Sequence, residues 1–202
     1  MEFWFDFASN YSYLSVMRVT ALAREAAVEV QWRPFLLGPV FKAFGWDNSP
    51  FVLQKEKGRY VWQDMPRECA KYGLQWRQPT EFPRHSVLAA RVALVGEGQP
   101  WLVPFCERVM LRNFAEDRGI STEADVAEVL QALGVEAAPV LLAAQTDENK
   151  LRLRERTGQA RQRGLFGAPT FFVGDEMFWG NDRLDDAIAC AKMNPAHAHQ
   201  DE

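Results

Sequence analysis

Ser9 lies where a short aromatic segment gives way to a helical pattern, between Ala8 and Asn10. The free N–H groups of a helix's first turn and the helix dipole favour an anion there, and a serine hydroxyl can donate a hydrogen bond to a bound thiolate. Together these interactions lower the pKa of a thiol by roughly one to two units from about 8.5. Serine is also a common N-cap, and for this residue in isolation the plain cap is the better interpretation.

A second candidate segment is Ala168-Pro169, which directly precedes a strand-like run at residues 170–173. Proline has no N–H for a ladder hydrogen bond, so it belongs at the edge or the start of a strand. A cis Ala168–Pro169 bond would present the Ala168 backbone to an extended peptide, and a tripeptide such as glutathione can pair there as an added strand. The alternative is an ordinary trans proline, since only about 5–6% of X–Pro bonds are cis.

The third segment contains Asn181 and Asp182, after Trp179-Gly180. Glycine gives the backbone freedom to turn, and either polar residue can cap the helix that follows. The Asp182 carboxylate can also receive an ammonium group, such as that of a γ-glutamyl unit. A plain cap remains the alternative for either residue alone.

The three cysteines, Cys69, Cys106 and Cys190, are far apart in the sequence, and none stands at the start of the first helix. The spacing argues against a disulfide scaffold, a zinc site or any other metal site, and against disulfide exchange by the chain's own sulfurs. Each cysteine is expected to act as a small buried hydrophobic residue.

Composition restricts the partners. The chain has 202 residues, 48% of them hydrophobic, and a net charge of −4 without a basic run. This balance argues against binding to nucleic acid or to a membrane surface. No segment resembles a signal peptide or a membrane span, so the expected location is cytoplasmic.

The order of the predicted elements indicates the fold. A strand at residues 3–7, a helix from Tyr11 and a strand at residues 28–32 form a β-α-β unit. Two strands joined by Gly174-Asp175 and a last helix at residues 182–193 close the chain. The helices predicted between these parts are a turn at 40–44 and segments 53–72 (kinked at Pro66), 85–95, 100–114, 123–133, 138–144 and 147–163.

This order predicts an α/β protein, a thioredoxin fold interrupted by an all-helical insertion. The expected division is a first thioredoxin-like part at residues 1–37, the insertion at 38–146, and a second thioredoxin-like part at 147–202. The tail from about residue 194 is expected to be disordered.

Several motifs together resemble the 2-hydroxychromene-2-carboxylate isomerases, which group with kappa-class glutathione transferases and DsbA-like thioredoxin proteins. The resemblance runs from about residue 3 to residue 190. The motifs that carry it are Phe5-Asp6-Phe7-Ala8-Ser9, Leu36-Leu37-Gly38, Lys57-Gly58-Arg59-Tyr60, Phe166-Gly167-Ala168-Pro169-Thr170-Phe171-Phe172 and Phe178-Trp179-Gly180-Asn181-Asp182-Arg183-Leu184.

The resemblance implies a glutathione-dependent cis-trans isomerase of small aromatic keto acids, usually a homodimer. It implies that Ser9 contacts the glutathione sulfur, on which catalysis depends, and that Ala168, before Pro169, contacts the cysteinyl unit. The other implied glutathione contacts are Asn181 and Asp182 at the γ-glutamyl end, Lys57 at the glycine carboxylate, and Asn48. The family commonly has proline after the serine, where this chain has Asn10.

The substrate pocket is less defined by the sequence. Candidates for its aromatic wall are Phe41, Phe44, Trp46 and Trp179. Candidates for the cation that would bind a substrate carboxylate are Lys57, Arg84 and Arg91.

Three other functions remain open at this stage. A glutathione transferase would use the same thiolate site but keep the adduct. A serine hydrolase would pair Ser9 with His85, although no Gly-x-Ser-x-Gly motif surrounds Ser9. A thioredoxin-like binding protein without catalysis is the third alternative.

Overall fold

The computed structural model describes residues 1–194 of the chain, and the tail predicted to be disordered lies, from residue 195 onward, outside the described residues. Four strands form one sheet in the order β2-β1-β3-β4. The strands are β1 (Glu2–Phe5), β2 (Gln31–Pro34), β3 (Thr170–Val173) and β4 (Glu176–Trp179). β1 runs parallel to β2 and antiparallel to β3, and β3 and β4 form an antiparallel hairpin.

Successive side chains of β1 point to opposite faces of the sheet, and both faces are covered. On one face, Phe3 stacks on Phe171 of the neighbouring strand with ring centroids 5.1 Å apart. These rings belong to a core that also contains residues of α1 (Asn10–Ala26) and α10 (Leu184–Met193). On the other face, Trp4 and Phe172 pack with a residue of α9 (Asp147–Gln162). The aromatic strands are therefore the central layer of a three-layer α/β structure, and the predicted fold class is confirmed.

Helices occupy the chain between β2 and β3. They are α2 (Leu37–Ala43), α3 (Pro50–Leu53), α4 (Lys55–Lys71), α5 (Val87–Val95), α6 (Leu102–Phe114), α7 (Glu123–Ala132), α8 (Ala137–Ala144) and α9. Apolar residues of α4 to α8 share one continuous core with α1 and β1. The boundaries predicted for the insertion, 38–146, stay a prediction, because the packing is continuous across them.

Several predicted bounds are wrong. β1 ends at Phe5 instead of continuing to residue 7, because the chain turns there and the Ser9 N–H bonds back to the Asp6 carbonyl. The second strand begins at Gln31 and ends at Pro34, later than predicted. The segment predicted as one helix from residue 53 divides at Gln54, whose extended backbone separates α3 from α4. Pro66 lies inside α4, and the kink predicted there stays a prediction.

The buried Asp6 carboxylate joins three parts of the fold close to the end of β1. It accepts hydrogen bonds from the Ala8 N–H at 2.9 Å, from the Leu37 N–H at 2.7 Å and from the Ser86 hydroxyl at 2.6 Å. Burial raises the pKa of Asp6, and the three hydrogen bonds oppose that shift. The carboxylate thus holds the loop before Ser9 against the starts of α2 and α5.

We expect Asp6→Asn to lower the free energy of unfolding by about 1–3 kcal/mol, because its NH2 group faces the N–H of either Ala8 or Leu37 whichever way the carboxamide turns. The pKa of Asp6 is raised on folding, so this group stabilises the wild type most below the unfolded value of 3.8. That stabilisation is lost as the pH rises through the folded pKa. The difference in the free energy of unfolding between wild type and variant should therefore narrow with rising pH. Urea unfolding at several pH values measures this difference. A gap that widens with pH would contradict this account.

Candidate functional site

A cleft of about 1260 Å³ lies beside the start of α1, between the thioredoxin-like elements and helices α2 to α5. Its walls come from segments that are distant in sequence, and no single element forms it. All seven residues that the resemblance implies for glutathione binding line this cleft: Ser9, Asn48, Lys57, Ala168, Pro169, Asn181 and Asp182. The structure therefore brings together every residue predicted to bind glutathione, and their roles stay predictions.

Ser9 is the N-cap of α1 and also contacts the proline segment. Its Oγ accepts a hydrogen bond from the Ser12 N–H at 3.1 Å and donates one to the Ala168 carbonyl at 3.0 Å. The side chain is largely buried, and Asn10 takes the first helical position after it. The departure from proline at that position therefore leaves Ser9 as the cap. The hydroxyl lies at the positive end of a helix of 17 residues, where an anion is favoured.

The bond between Ala168 and Pro169 is cis, which is the first of the two alternatives that the sequence left open. Pro169 precedes β3, and its carbonyl accepts a hydrogen bond from the Gly180 N–H at 2.9 Å. Ala168 is only half-buried and lines the cleft. The chain thus presents a backbone segment beside Ser9 at which an extended peptide can pair.

Asn181 and Asp182 follow Gly180 in a short 3-10 turn that leads into α10. Neither side chain caps that helix, so the prediction of a cap is wrong. Asn181 is buried, and its Oδ1 accepts hydrogen bonds from Ser15 and Arg18. Asp182 is exposed and has a distant contact of 3.7 Å with Arg183. Gly180 has a φ of 109°, and a Cβ there would lie 2.4 Å from an Asp182 oxygen, so glycine is required at this position.

Asn48 and Lys57 lie on the opposite wall, around α3. Ser49 caps α3 through a hydrogen bond from the Phe51 N–H, and the Asn48 side chain accepts one from the Ser49 N–H. Both Asn48 and Lys57 are exposed, and among residues 1–194 Lys57 has no ion-pair partner. A Cβ at Gly58 would lie 2.1 Å from the Phe51 carbonyl, so this glycine allows α3 to pack on the first turn of α4.

The aromatic wall was predicted with one error. Phe41, Trp46 and Trp179 line the cleft. Phe44 does not line it; its ring packs against Trp46 with centroids 6.1 Å apart and is otherwise exposed. Trp179 is half exposed and packs on Phe166, which also lines the cleft, at 4.8 Å. Flat apolar surfaces therefore face the cleft from two sides.

Two of the three cations predicted for a substrate carboxylate are not available to one. The Arg84 guanidinium is buried and donates hydrogen bonds to Asn113 and to Asp117. Arg91 is not among the residues that line the cleft. The Arg84 assignment is wrong because the sequence does not show that this arginine has partners within the fold, and the Arg91 assignment is wrong because the sequence does not show which arginines reach the cleft. Lys57 remains available.

Two groups at the site were missed by sequence reasoning. The Tyr11 hydroxyl donates to Asp64 of α4 at 2.8 Å, and burial raises the pKa of Tyr11, so this phenol stays protonated. Arg18, which the helical pattern places away from the apolar face of α1, is mostly buried against Asn181. Both contacts join α1 to elements far along the chain, and local sequence patterns do not predict such contacts.

The cysteines lie elsewhere. Cys69 and Cys106 are buried as predicted, and burial raises the pKa of Cys69 to about 12 and that of Cys106 as well. Cys190 is only half-buried, and its thiol contacts Glu176 at 3.1 Å, so the prediction of burial is wrong for it. No cysteine of residues 1–194 lines the cleft.

His85 lines the same cleft, yet the Ser9 hydroxyl is hydrogen-bonded to Ala168 and Ser12 rather than to His85. Ser9 and His85 therefore do not form the hydrogen-bonded pair that a serine hydrolase uses. Over the described range 1–194, His, Cys, Asp and Glu side chains form no group of three that could hold a metal ion. Within that same range, every helix is too short or too polar to cross a bilayer.

Comparison with known proteins supports the fold and the resemblance. The model of the DsbA-like thioredoxin domain family matches residues 1–188. The chain is 29% identical to a 2-hydroxychromene-2-carboxylate isomerase of Sphingobium xenophagum over 188 residues, covering 92% of this chain and 94% of the relative. It is 25% identical to glutathione S-transferase kappa 1 of Rattus norvegicus over 199 residues, covering 92% and 87%.

A solved structure of a 2-hydroxychromene-2-carboxylate isomerase superposes with a TM-score of 0.85 at 26% identity, covering 100% of this chain and 98% of that one. The resemblance inferred from the motifs is thus confirmed. The relatives are isomerases and glutathione transferases, so the comparisons support an enzyme of this glutathione-related group.

Proposed function

Because the chain belongs to the family of DsbA-like thioredoxin domains, we propose that it is a glutathione-dependent isomerase of 2-hydroxychromene-2-carboxylate-like aromatic keto acids. One observation carries the proposal. At the start of α1, where the resemblance implies that the glutathione sulfur binds, stands Ser9, whose hydroxyl contacts the Ala168 carbonyl in a cleft that no cysteine of residues 1–194 lines. A sulfur that reacts at this point must therefore come from a ligand.

The residues present fit glutathione. The donors of the Asn181 carboxamide suit the carboxylate of the γ-glutamyl end, and the exposed Asp182 carboxylate suits its ammonium group. The Ala168 backbone suits the cysteinyl unit, and Lys57 suits the glycine carboxylate. An extended tripeptide has four different polar features, and the cleft offers a complementary group for each.

When bound, glutathione supplies a thiolate that adds reversibly to a conjugated double bond, so that this bond can rotate before the thiolate leaves. Ser9 keeps the sulfur ionised, because its hydroxyl and the start of α1 stabilise a negative charge. Phe41, Trp46 and Trp179 bind the flat substrate and exclude water from it. The substrate is also a carboxylate. Lys57 is the candidate cation for it only in an arrangement in which the glycine carboxylate of glutathione does not bind Lys57.

The proposal extends to the setting in which the enzyme acts. We place it in the cytoplasm, in the catabolism of aromatic compounds, as a homodimer, on the resemblance to the isomerases. The three unpaired cysteines agree with a reducing compartment.

A kappa-like glutathione transferase is the second candidate, favoured by the similarity to the rat enzyme. Such an enzyme would use the same thiolate but retain the new carbon–sulfur bond. The two differ in whether glutathione is consumed.

The experiment follows the absorbance of a hydroxychromene carboxylate mixed with the protein, with and without glutathione, while free thiol is titrated. We expect turnover only with glutathione and a constant thiol concentration. Thiol loss that matches turnover would indicate the transferase. Absence of turnover, together with no rise in melting temperature at millimolar glutathione, would favour a binding protein without catalysis.

A further inference from the structure

Arg18 links three elements around the end of the cleft. Its Nη1 donates a hydrogen bond to Asn181 Oδ1 at 2.9 Å, and its Nη2 donates one to Asp185 at 2.9 Å. The guanidinium also lies over the Tyr72 ring, 3.8 Å from the ring centroid. Only 12% of the Arg18 side chain is exposed, while 62% of the Asp185 side chain is. Arg18, a residue of α1, therefore has defined contacts to the end of α4, to the 3-10 turn of Asn181 and to the start of α10.

These contacts determine which way the Asn181 carboxamide faces. A carboxamide turned by half a rotation exchanges its oxygen and its NH2 group, and the two forms have nearly the same shape. A guanidinium only donates hydrogen bonds, so the group that faces Arg18 must be the oxygen. The Ser15 hydroxyl meets the same oxygen at 3.1 Å. The opposite orientation would direct the NH2 group at the arginine's donors.

The NH2 group of Asn181 consequently cannot bond to Arg18 or Ser15 and needs another partner. Among residues 1–194 it has no hydrogen-bond partner, although the side chain is 4% exposed and lines the cleft. A buried donor without a partner costs free energy. A fold that keeps such a donor at the wall of a cleft therefore indicates that a bound ligand supplies the acceptor. Asp182, the next residue, presents an exposed carboxylate. A donor next to an anion fits the carboxylate and ammonium of an amino-acid head group.

We infer that Arg18 is a positioning residue, which turns the Asn181 carboxamide so that its N–H groups point at the α-carboxylate of an amino-acid head group bound in the cleft. The inference rests on the proposed function for the identity of that ligand, the γ-glutamyl end of glutathione. Arg18 acts through orientation more than through its charge, because Asp185 already neutralises that charge. Substitution of Arg18 should therefore weaken the contribution of the γ-glutamyl α-carboxylate to binding and leave the contributions of the other glutathione groups unchanged.

The test compares glutathione with an analogue in which 4-aminobutyryl replaces the γ-glutamyl unit, which removes only the α-carboxylate. Wild type should bind glutathione ~10-fold to 100-fold more tightly than the analogue in calorimetric titration. Arg18→Gln should reduce this ratio to within ~3-fold by weakening glutathione alone. Arg24→Gln is the matched control, because Arg24 is an exposed arginine on the same helix, and it should keep the wild-type ratio.

A second measurement does not depend on glutathione. The side-chain NH2 resonances of Asn181 should form one sharp pair in the wild type, and in Arg18→Gln they should broaden or double because the carboxamide turns. Should Arg18→Gln not fold, Arg18→Met keeps the length of the side chain without a donor for Asn181 Oδ1, and it should shift both measurements in the same direction.

The outcomes of the two measurements separate the positioning role of Arg18 from the proposed function. Equal weakening of glutathione and the analogue by Arg18→Gln, or an undisturbed Asn181 resonance pair, would overturn the positioning role. Wild type that binds neither compound, with a resonance pair that doubles in the variant, would overturn the proposed function and support the orientation of Asn181 by Arg18.

Discussion

Replacement of Ser9 by alanine is expected to reduce the isomerisation rate at saturating glutathione by ~10-fold to 100-fold. The Kd for glutathione should change by less than ~3-fold, because the backbone of Ala168 and the groups at both ends of the tripeptide remain. The hydroxyl is a side-chain donor at the start of α1, 3.0 Å from the Ala168 carbonyl. Its loss removes a hydrogen bond to an anion, an interaction stronger than one between neutral groups.

The same substitution should change the pH profile. In wild type the helix start and the Ser9 hydroxyl lower the pKa of the bound thiol, so the rate levels off below the ordinary thiol pKa of about 8.5. In Ser9→Ala the pKa of the bound thiol should rise by about one unit. The rate of the variant should therefore still increase with pH in the range where the wild-type rate has already levelled off. Thiolate ultraviolet absorbance of the complex measures the pKa directly. Equal rates and equal profiles in the two proteins would remove Ser9 from the mechanism.

Ser9 is also an N-cap, so its substitution should cost about 1 kcal/mol of stability independently of the chemistry. Thr146→Ala is the matched control. Thr146 caps α9 through the same kind of hydrogen bond, from the Asn149 N–H at 3.2 Å, and it does not line the cleft. Thr146→Ala should lower the melting temperature by a similar amount and leave the rate and the thiol pKa as they are.

Asn181→Asp is expected to weaken glutathione binding by ~100-fold while the melting temperature stays close to that of wild type. The two side chains have nearly the same shape. One carboxylate oxygen can keep the hydrogen bonds from Ser15 and Arg18, and Arg18 now forms an ion pair with it. The other oxygen replaces the unpartnered NH2 group and directs negative charge at the γ-glutamyl carboxylate. Titration calorimetry gives the affinity, and a thermal melt gives the stability.

The control for Asn181→Asp is Asn113→Asp. Asn113 is likewise buried, and its oxygen likewise accepts from an arginine, Arg84, but it does not line the cleft. Its NH2 group donates to the Phe7 carbonyl at 2.9 Å, so the aspartate variant should lose stability and keep its affinity for glutathione. If Asn181→Asp binds glutathione as tightly as wild type, Asn181 does not face the γ-glutamyl carboxylate.

The features that the sequence predicts well depend on residues close together in the chain. β3 has the predicted bounds and pairs with β4 across the predicted turn, because Gly174-Asp175 and the aromatic runs on either side of it specify the hairpin locally. Ser9 is found at the helix start because capping is a property of adjacent residues. The motifs around Ser9, Ala168 and Asn181 also suffice to identify the glutathione-related family, since each is short and continuous.

What only the tertiary structure decided is how side chains from distant segments pair. The sequence presents Arg84 and Arg91 as similar cations and gives Arg18 no role, yet only the fold shows that Arg84 is bonded to Asn113 and that Arg18 is bonded to Asn181. The same holds for Asp6, whose three hydrogen bonds come from three separate elements. Burial and partners determine whether a charge is free for a ligand, and both depend on contacts across the whole chain that no local pattern contains.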